Sequence, residues 1–313
     1  MSVYIHGGLR SPIGVLNGQY KHMRPEILGS QVIDEIINRY TISHIDGIFC
    51  GNAVGTGGNL GRLMGLMCNL PNSVPAITVD MQCASALMSI EIAYAHIVSG
   101  IMDSAIAGGI ESSSLQPERV YASGDDREGP YKVAQFTPQD QSPLAMLKGA
   151  ERTIHKYNVT KEDLYPHIIG SHQRASAALD NPYLQSYIMP ITIDGKRCID
   201  ECIRPTMNEK LLSRMKPLLG ADSITNAGNA CLTHDGAAFV YLSNKKGPFK
   251  IHSVKPWAGN PQFSPEGALE STEAILKRTG LTMDDIDVVE WNEAFAIIDV
   301  LFDKTYPNHI GKY

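Results

Sequence analysis

The sequence has 313 residues, of which 43% are hydrophobic and 19% are charged, and its formal net charge is −6. This composition is typical of a globular protein with a large buried core, and it excludes a wholly disordered chain. Lys and Arg are scattered and form no basic stripe, so we expect no nucleic-acid partner. Residues 1–14 lack the apolar core of a signal peptide, and no run of about 18 apolar residues occurs, so we expect a cytoplasmic protein without membrane contact.

The chain contains six cysteines, and we expect all of them to be reduced. A protein of this size does not depend on disulfides for its stability. Cys198 and Cys202 stand close together, but no second pair of Cys or His follows at the spacing of zinc ligands. Ordinary thiols are therefore preferred over a metal site.

Short apolar runs alternate with helical patterns along the chain, which predicts an α/β architecture in which helices cover central sheets. The elements predicted in the first part, in chain order, are helix 25–40, strand 47–50, helix 59–68, strand 76–80, helix 84–99 and strand 105–107. On helix 84–99, one face is marked by Leu87, Ile90, Tyr94, Ile97 and Val98. The last three elements predict a βαβ unit.

Residues 111–161 combine turn signals with one helix near 144–157, and we interpret them as an inserted loop region. The elements predicted after this region are helices 161–178 and 208–215, strands 237–242 and 249–254, and helix 265–278. Two similar segments, 45–48 and 286–289, each follow a helix and open a predicted strand, which indicates two copies of one α/β unit. The counterpart of Cys83 would fall beyond Tyr313, so we expect the second copy to be incomplete in this chain.

Cys83 is the first candidate catalytic residue, because it follows a predicted strand and opens a predicted helix. Unpaired backbone N–H groups and the helix dipole at such a position favour a thiolate, which is the nucleophilic form of cysteine. The alternative is a small apolar side chain that packs at the end of a strand.

The residues around Cys83 resemble the nucleophile segment of the thiolase family. Cys83-Ala84-Ser85-Ala86-Leu87 is similar to the family's Cys-Ala-Ser-Gly-Leu, and Ala107 to Ser112 is similar to its Ala-Gly-Gly-Met-Glu-Ser. Further segments that resemble family motifs are Arg10 to Gly14, Ser171 to Ala175, Asp200-Glu201, Arg204, Lys216-Pro217, Asn226 to Ala230 and His234 to Ala238. The resemblance covers nearly the whole chain.

A thiolase-like fold of two related α/β halves, with layered α-β-α-β-α architecture, is what this resemblance implies. Residues 1–110 and 162–245 would form the amino-terminal thiolase domain, and residues 246–313 an incomplete carboxy-terminal one. The resemblance also implies a homodimer, with a tetramer left open by the loop region, and coenzyme A thioesters as substrates without metal or organic cofactor.

Three more site residues follow from the resemblance. Asn292-Glu293-Ala294-Phe295 is similar to the family's Asn-Glu-Ala-Phe, in which the Asn holds a water that helps bind a thioester oxygen; such donors stabilise charge that develops there. The alternative makes Asn292 a helix N-cap and Phe295 a core residue. Ser253 and Met146 align with residues that contact coenzyme A, and their alternatives are a surface Ser and a core-filling Met.

The chain departs from the family pattern at two motifs, because the Gly-His-Pro histidine and the second Cys, in a Cys-x-Gly-Gly turn, are absent. His309 lacks that context, and we interpret it as an incidental surface residue. The implied function is acyl transfer between acyl-coenzyme A thioesters by the Cys83 nucleophile, in condensation or thiolysis, with weak or no turnover expected. The alternatives are a decarboxylating ketoacyl synthase, which the Asn-Glu-Ala-Phe segment disfavours, and a non-catalytic thiolase-like subunit.

Overall fold

The computed structural model describes residues 1–313. Its strands are β1 (Tyr4–Arg10), β2 (Gly14–Val15), β3 (Gly47–Gly51), β4 (Ala76–Val79), β5 (Ser104–Ser112), β6 (Arg119–Val120), β7 (Pro130–Tyr131), β8 (Thr192–Ile193), β9 (Lys196–Arg197), β10 (His234–Ser243) and β11 (Phe249–Lys250). Its α-helices are α1 (Pro25–Arg39), α2 (Leu60–Gly65), α3 (Ser85–Val98), α4 (Ala145–Lys156), α5 (Lys161–Ala178), α6 (Pro182–Gln185), α7 (Glu209–Leu212), α8 (Glu266–Thr279) and α9 (Ile297–Thr305). Every element predicted between residues 25 and 178 is present, and the predicted α/β class is confirmed.

The chain forms two compact units. The first consists of residues 1–132, 179–202 and 233–254, and the second of residues 133–178, 203–232 and 255–313. This division differs from the predicted domains, because residues 133–178 and 203–232 group with the last part of the chain. The assignment of residues 1–110 and 162–245 to one evolutionary domain stays a prediction.

The first unit is built on a mixed sheet in the order β11-β1-β10-β5-β3-β4, with β2 paired to β10. β3 is parallel to both β4 and β5, whereas β10 is antiparallel to β5 and β1. β4, α3 and β5 therefore form the predicted βαβ unit, with β3 between its two strands. The carboxyl ends of these three parallel strands share one edge of the sheet, and Cys83 follows β4 at that edge.

Helices cover both faces of this sheet. Successive side chains on a strand point to opposite faces, so the apolar strands present hydrophobic side chains on both faces. Ile48 on β3 and Ile106 on β5 belong to a core that includes Val32 and Ile36 of α1. The next residue on β3, Phe49, points to the opposite core. That second core also contains Ala93, Ile97, Ala105 and Ala107. β3 and β5 are thus buried on both faces, whereas Ile77 on the edge strand β4 is 46% exposed.

The predicted face of α3 is confirmed except at its first residue. Leu87 is 71% exposed, whereas the other predicted residues lie in the core or pack against it: Ile90, Tyr94, Ile97 and Val98. Further buried residues of the helix are Ser85, Ser89 and Ala93. Ser85 and Ser89 are small because the backbone at the start of the helix lies very close to the sheet. Size, and not hydrophobicity alone, therefore decides which residues are buried at this end of the helix.

The second unit has a helical core. Ile154 of α4, Leu164 and Ile168 of α5, and Val300 and Leu301 of α9 belong to one buried cluster. α9 is buried from Ile297 to Phe302, and every residue of this stretch except Asp299 is apolar. This cluster supports the segment that contains Asn292.

The predicted helix 59–68 is shortened to Leu60–Gly65, and three predicted elements after residue 200 are shorter than expected or absent. The predicted strand at 286–289 is wrong, because no strand lies beside it: the Val289 N–H donates to the Lys312 carbonyl, and Val288 is 69% exposed. The predicted strand 249–254 ends at Lys250, and only one further main-chain bond, from the Ile251 N–H to the Val3 carbonyl, continues its pairing. The predicted helix 208–215 is reduced to α7, after which the chain tightens into i to i+3 hydrogen bonds.

Candidate active site

Cys83 lies on a 3-10 turn, Gln82–Ala84, that leads directly into α3. The Asp80 carboxylate accepts a hydrogen bond from the Gln82 N–H at 2.9 Å, and the Ser85 hydroxyl donates to the Gln82 carbonyl at 2.6 Å. Gln82 has φ +50°, a left-handed conformation that costs a non-glycine residue about 1–2 kcal/mol. Local hydrogen bonds of the turn therefore hold the Cys83 backbone in place, and the Cys83 side chain is exposed. This exposure contradicts the alternative that Cys83 packs at a strand end.

Two glycines bring the start of α3 close to the sheet. A Cβ atom on Gly51, the last residue of β3, would lie 2.5 Å from the Ala86 nitrogen. A Cβ atom on Gly109 of β5 would lie 3.0 Å from the Gly51 carbonyl oxygen and 3.1 Å from the Ala86 Cβ. A side chain at Gly51 would require the helix backbone to move, and one at Gly109 would be tightly packed, so these glycines set the position of the helix that Cys83 opens.

Hydrogen bonds to Ser89 and Glu111 hold the start of α3 and the loop after β3 in place. The Ser89 hydroxyl lies 2.8 Å from both the N–H and the carbonyl oxygen of Gly108, and so ties α3 to β5. The Glu111 carboxylate accepts hydrogen bonds from the Ala53 and Val54 N–H groups at 2.9 and 2.8 Å. Glu111 belongs to the motif Ala107 to Ser112, from which no role for it was predicted. In the structure it anchors the loop that follows β3.

Asn292 lies before α9, in a segment held by main-chain bonds. The Ala294 N–H donates to the Asn292 carbonyl at 2.8 Å, which closes a three-residue turn with Glu293 at its centre. The Cys231 N–H donates to the Ala294 carbonyl at 2.8 Å, and Phe295 forms a bridge with Ala230. α9 begins at Ile297, so the alternative of a helix N-cap is wrong for Asn292. Phe295 is a core residue, as that alternative predicted.

Glu293 is held from α5 by two side chains that the sequence did not connect with it. The Ser171 hydroxyl donates to Glu293 Oε2 at 2.5 Å, and Arg174 donates to Oε1 at 2.8 Å. The Arg174 and Glu293 side chains are 58% and 34% exposed, and ion pairs of this kind contribute only about 0–1 kcal/mol to stability. The two motifs, Ser171 to Ala175 and Asn292 to Phe295, therefore meet in one network.

The remaining predicted residues are distributed over both units. Ser253 is half-buried in the first unit, outside any regular element. Met146 is half-buried on α4 of the second unit and packs against its core, as the core-filling alternative predicted. Cys83 also belongs to the first unit and Asn292 to the second. No single unit holds all four residues, and their assigned roles stay predictions.

Burial distinguishes the cysteines. Cys50, Cys68 and Cys198 are buried, whereas Cys83 and Cys231 are exposed. Burial raises the pKa of the Cys50 and Cys68 thiols to about 12, which makes them poor nucleophiles near neutral pH. The exposed residues Cys83 and Cys231 are therefore the better candidates for a reactive thiol.

A cleft of about 630 Å³ lies in the second unit, where it is lined by α8 and by Lys255 and Trp257. None of the predicted site residues lines this cleft. His309 lies 2.6 Å from Asp284 and is half-buried. No group of three or more His, Cys, Asp or Glu side chains is placed to hold a metal ion. None of the helices is both long and apolar enough to cross a membrane.

Comparison with protein families gives a match to the model described as "Thiolase, N-terminal domain" over residues 3–246. The VraB protein of Staphylococcus epidermidis, provisionally named acetyl-CoA C-acetyltransferase, is 32% identical over 307 residues, which cover 92% of this chain and 78% of VraB. VraB of Staphylococcus aureus strain MSSA476 is 31% identical over 302 residues, at 92% and 79% coverage.

Two solved structures share the fold. The Bacillus anthracis acetyl-CoA acetyltransferase matches with a TM-score of 0.89 and 24% identity, over 98% of this chain and 83% of that one. Human mitochondrial 3-ketoacyl-CoA thiolase, solved in complex with CoA, matches with a TM-score of 0.90 and 25% identity, over 99% and 84%. These matches confirm the predicted fold class.

Proposed function

Because this chain belongs to the thiolase family, we propose that it transfers acyl groups between coenzyme A thioesters, with Cys83 as the nucleophile. The observation that carries the proposal is the exposed Cys83 thiol on the turn that opens α3. The name of the two VraB relatives supports a transferase that acts on acetyl-coenzyme A. The complex of the human relative with CoA supports binding of that carrier.

In the proposed step, the Cys83 sulfur attacks the carbonyl carbon of an acyl-coenzyme A. A new carbon–sulfur bond forms, the bond to coenzyme A breaks, and the departing thiolate takes the proton that Cys83 has lost. Transfer of the acyl group to a second coenzyme A reverses the same events and needs no additional reagent.

Asn292 is proposed to act as a hydrogen-bond donor, through a water, to a thioester oxygen. Its exposed side chain on a backbone fixed by main-chain bonds suits a preorganised donor. Ser253 and Met146 are proposed to contact coenzyme A. A homodimer, a cytoplasmic location and independence of metal or organic cofactors complete the proposal, on the strength of the family resemblance.

The overall reaction that we propose is condensation or thiolysis of 3-ketoacyl-coenzyme A, and acyl exchange with coenzyme A is the half of it that takes place at Cys83. Isotopically labelled coenzyme A, incubated with unlabelled acetyl-coenzyme A, tests it: the protein should move label into the thioester. Cys83→Ala should abolish this exchange, whereas Cys231→Ala, which removes the other exposed thiol, should preserve it. Exchange that survives in Cys83→Ala would contradict the role of Cys83 as the nucleophile. Absence of exchange from the unmodified protein would favour a non-catalytic thiolase-like subunit.

A further inference from the structure

Asn292 has an exposed side chain on a backbone that is fixed at both neighbouring residues. On its amino-terminal side, the Trp291 indole N–H donates to the Thr272 hydroxyl at 2.8 Å, and its ring packs edge-on against Phe302 at 5.2 Å. On its carboxy-terminal side, Glu293 forms the centre of the three-residue turn. The amide of Asn292 therefore has little freedom other than its own side-chain rotations.

The turn is held from outside through the Glu293 side chain. Ser171 and Arg174 lie three residues apart on α5, on the same side of the helix, and each binds one carboxylate oxygen of Glu293. Carboxylate oxygens that accept from a guanidinium and a hydroxyl are held in both position and orientation. Since Glu293 is the residue next to Asn292 and the centre of its turn, a displaced Glu293 would rotate the Asn292 peptide.

We propose that Arg174 and Ser171 are positioning residues, which hold Glu293 and thereby direct the Asn292 amide towards the thioester oxygen. This inference rests on the proposed function, since it assigns a purpose to the donor named there. The contacts of Arg174 and Ser171 with Glu293 are exposed and contribute little to stability. Their loss should therefore change the orientation of the Asn292 side chain and leave the unfolding free energy nearly unchanged. Arg174 contributes a charge that Lys can replace, and Ser171 a single hydroxyl.

The test measures how much affinity the thioester oxygen contributes. In a Cys83→Ala background, which prevents acylation, the Kd of acetyl-coenzyme A is compared by calorimetry with that of S-ethyl-coenzyme A, which lacks the carbonyl oxygen. Arg174→Gln should reduce the preference for acetyl-coenzyme A about threefold to tenfold, the range of one hydrogen bond, and leave the Kd of S-ethyl-coenzyme A unchanged. Arg174→Lys should retain most of the preference.

A double-mutant cycle separates positioning from a general structural effect. In an Asn292→Ala background, Arg174→Gln should cause no further loss of preference, because its effect passes through Asn292. An unchanged preference in Arg174→Gln, or an equal loss with and without Asn292, would overturn the inference.

If the protein binds neither ligand, the proposed function is wrong. A second measurement then tests the positioning role of Arg174 without a ligand. In protein labelled with ¹⁵N-asparagine, the side-chain amide signal of Asn292 is identified by its loss in Asn292→Asp. Arg174→Gln should shift this signal and Arg174→Lys should restore it. A signal that stays in place in Arg174→Gln would overturn the positioning role independently of any ligand.

Discussion

Asp299 is a buried carboxyl group on α9, and it should make the protein less stable as the pH rises. Only 3% of its surface is exposed, and the Tyr313 hydroxyl donates a hydrogen bond to it. Burial raises its pKa from 3.8 to about 7, although the bond from Tyr313 acts in the opposite direction. The ionised form is therefore the costly one in the folded protein.

The sign follows from the protons bound in each state. Between its ordinary pKa of 3.8 and about 7, Asp299 binds a proton in the folded protein that it has released in the unfolded chain. Its stabilising contribution is fully present below pH 3.8 and is lost as the pH rises through about 7. At about 1.4 kcal/mol for each pKa unit, the loss amounts to about 4 kcal/mol of unfolding free energy.

The substitution Asp299→Asn tests this, because Asn keeps an oxygen that accepts the Tyr313 hydrogen bond but cannot ionise. Urea unfolding at a series of pH values should show the variant more stable than the unmodified protein by up to about 4 kcal/mol at a pH of about 8, with the difference shrinking towards a pH of about 4. Asp303→Asn, on the same helix with a side chain 30% exposed, is the control and should leave the pH dependence in place. If Asp299→Asn and the unmodified protein lose stability in parallel, the assignment of a costly buried charge to Asp299 is wrong.

Three further outcomes can be checked. Gly51→Ala should lower the unfolding free energy by more than about 2 kcal/mol in urea, because its Cβ would meet the α3 backbone at 2.5 Å, whereas Gly267→Ala, with open space around it on α8, should be neutral or stabilising; equal effects would contradict the close approach. Glu111→Gln should cost about 1–3 kcal/mol, since charge-assisted hydrogen bonds to the loop after β3 are lost, and an unchanged urea midpoint would argue against that anchor. Iodoacetamide should modify Cys83 in the folded protein long before Cys50, as read from peptide masses, and comparable rates would contradict their burial.

Much of the first unit could be predicted because its sequence patterns are local. The apolar strands around Ile48 and Ile106, the helix that begins at Pro25 and the turn before α3 each follow from a few neighbouring residues. The position of Cys83 at the edge of the sheet follows from the same strand-to-helix pattern. These features needed no knowledge of distant contacts.

The errors concern contacts between distant residues. A strand needs a partner, and the segment at 286–289 carries a strand-like pattern but has no neighbour with which to pair. On α3 only Leu87 is misplaced in the prediction, because the close approach at Gly51 selects small side chains at the start of the helix. The contact between Arg174 and Glu293 joins residues on separate elements, which a single sequence does not reveal.

The central claim is that Cys83 receives the acyl group, and intact-protein mass spectrometry tests it most directly. Protein incubated with acetyl-coenzyme A should gain the mass of one acetyl group, and peptide mapping should place that group on Cys83. Cys83→Ala should remain unmodified, while Cys231→Ala should be modified like the unmodified protein. An acetyl group on Cys231, or no adduct on protein whose mass and fold are intact, would contradict the role assigned to Cys83.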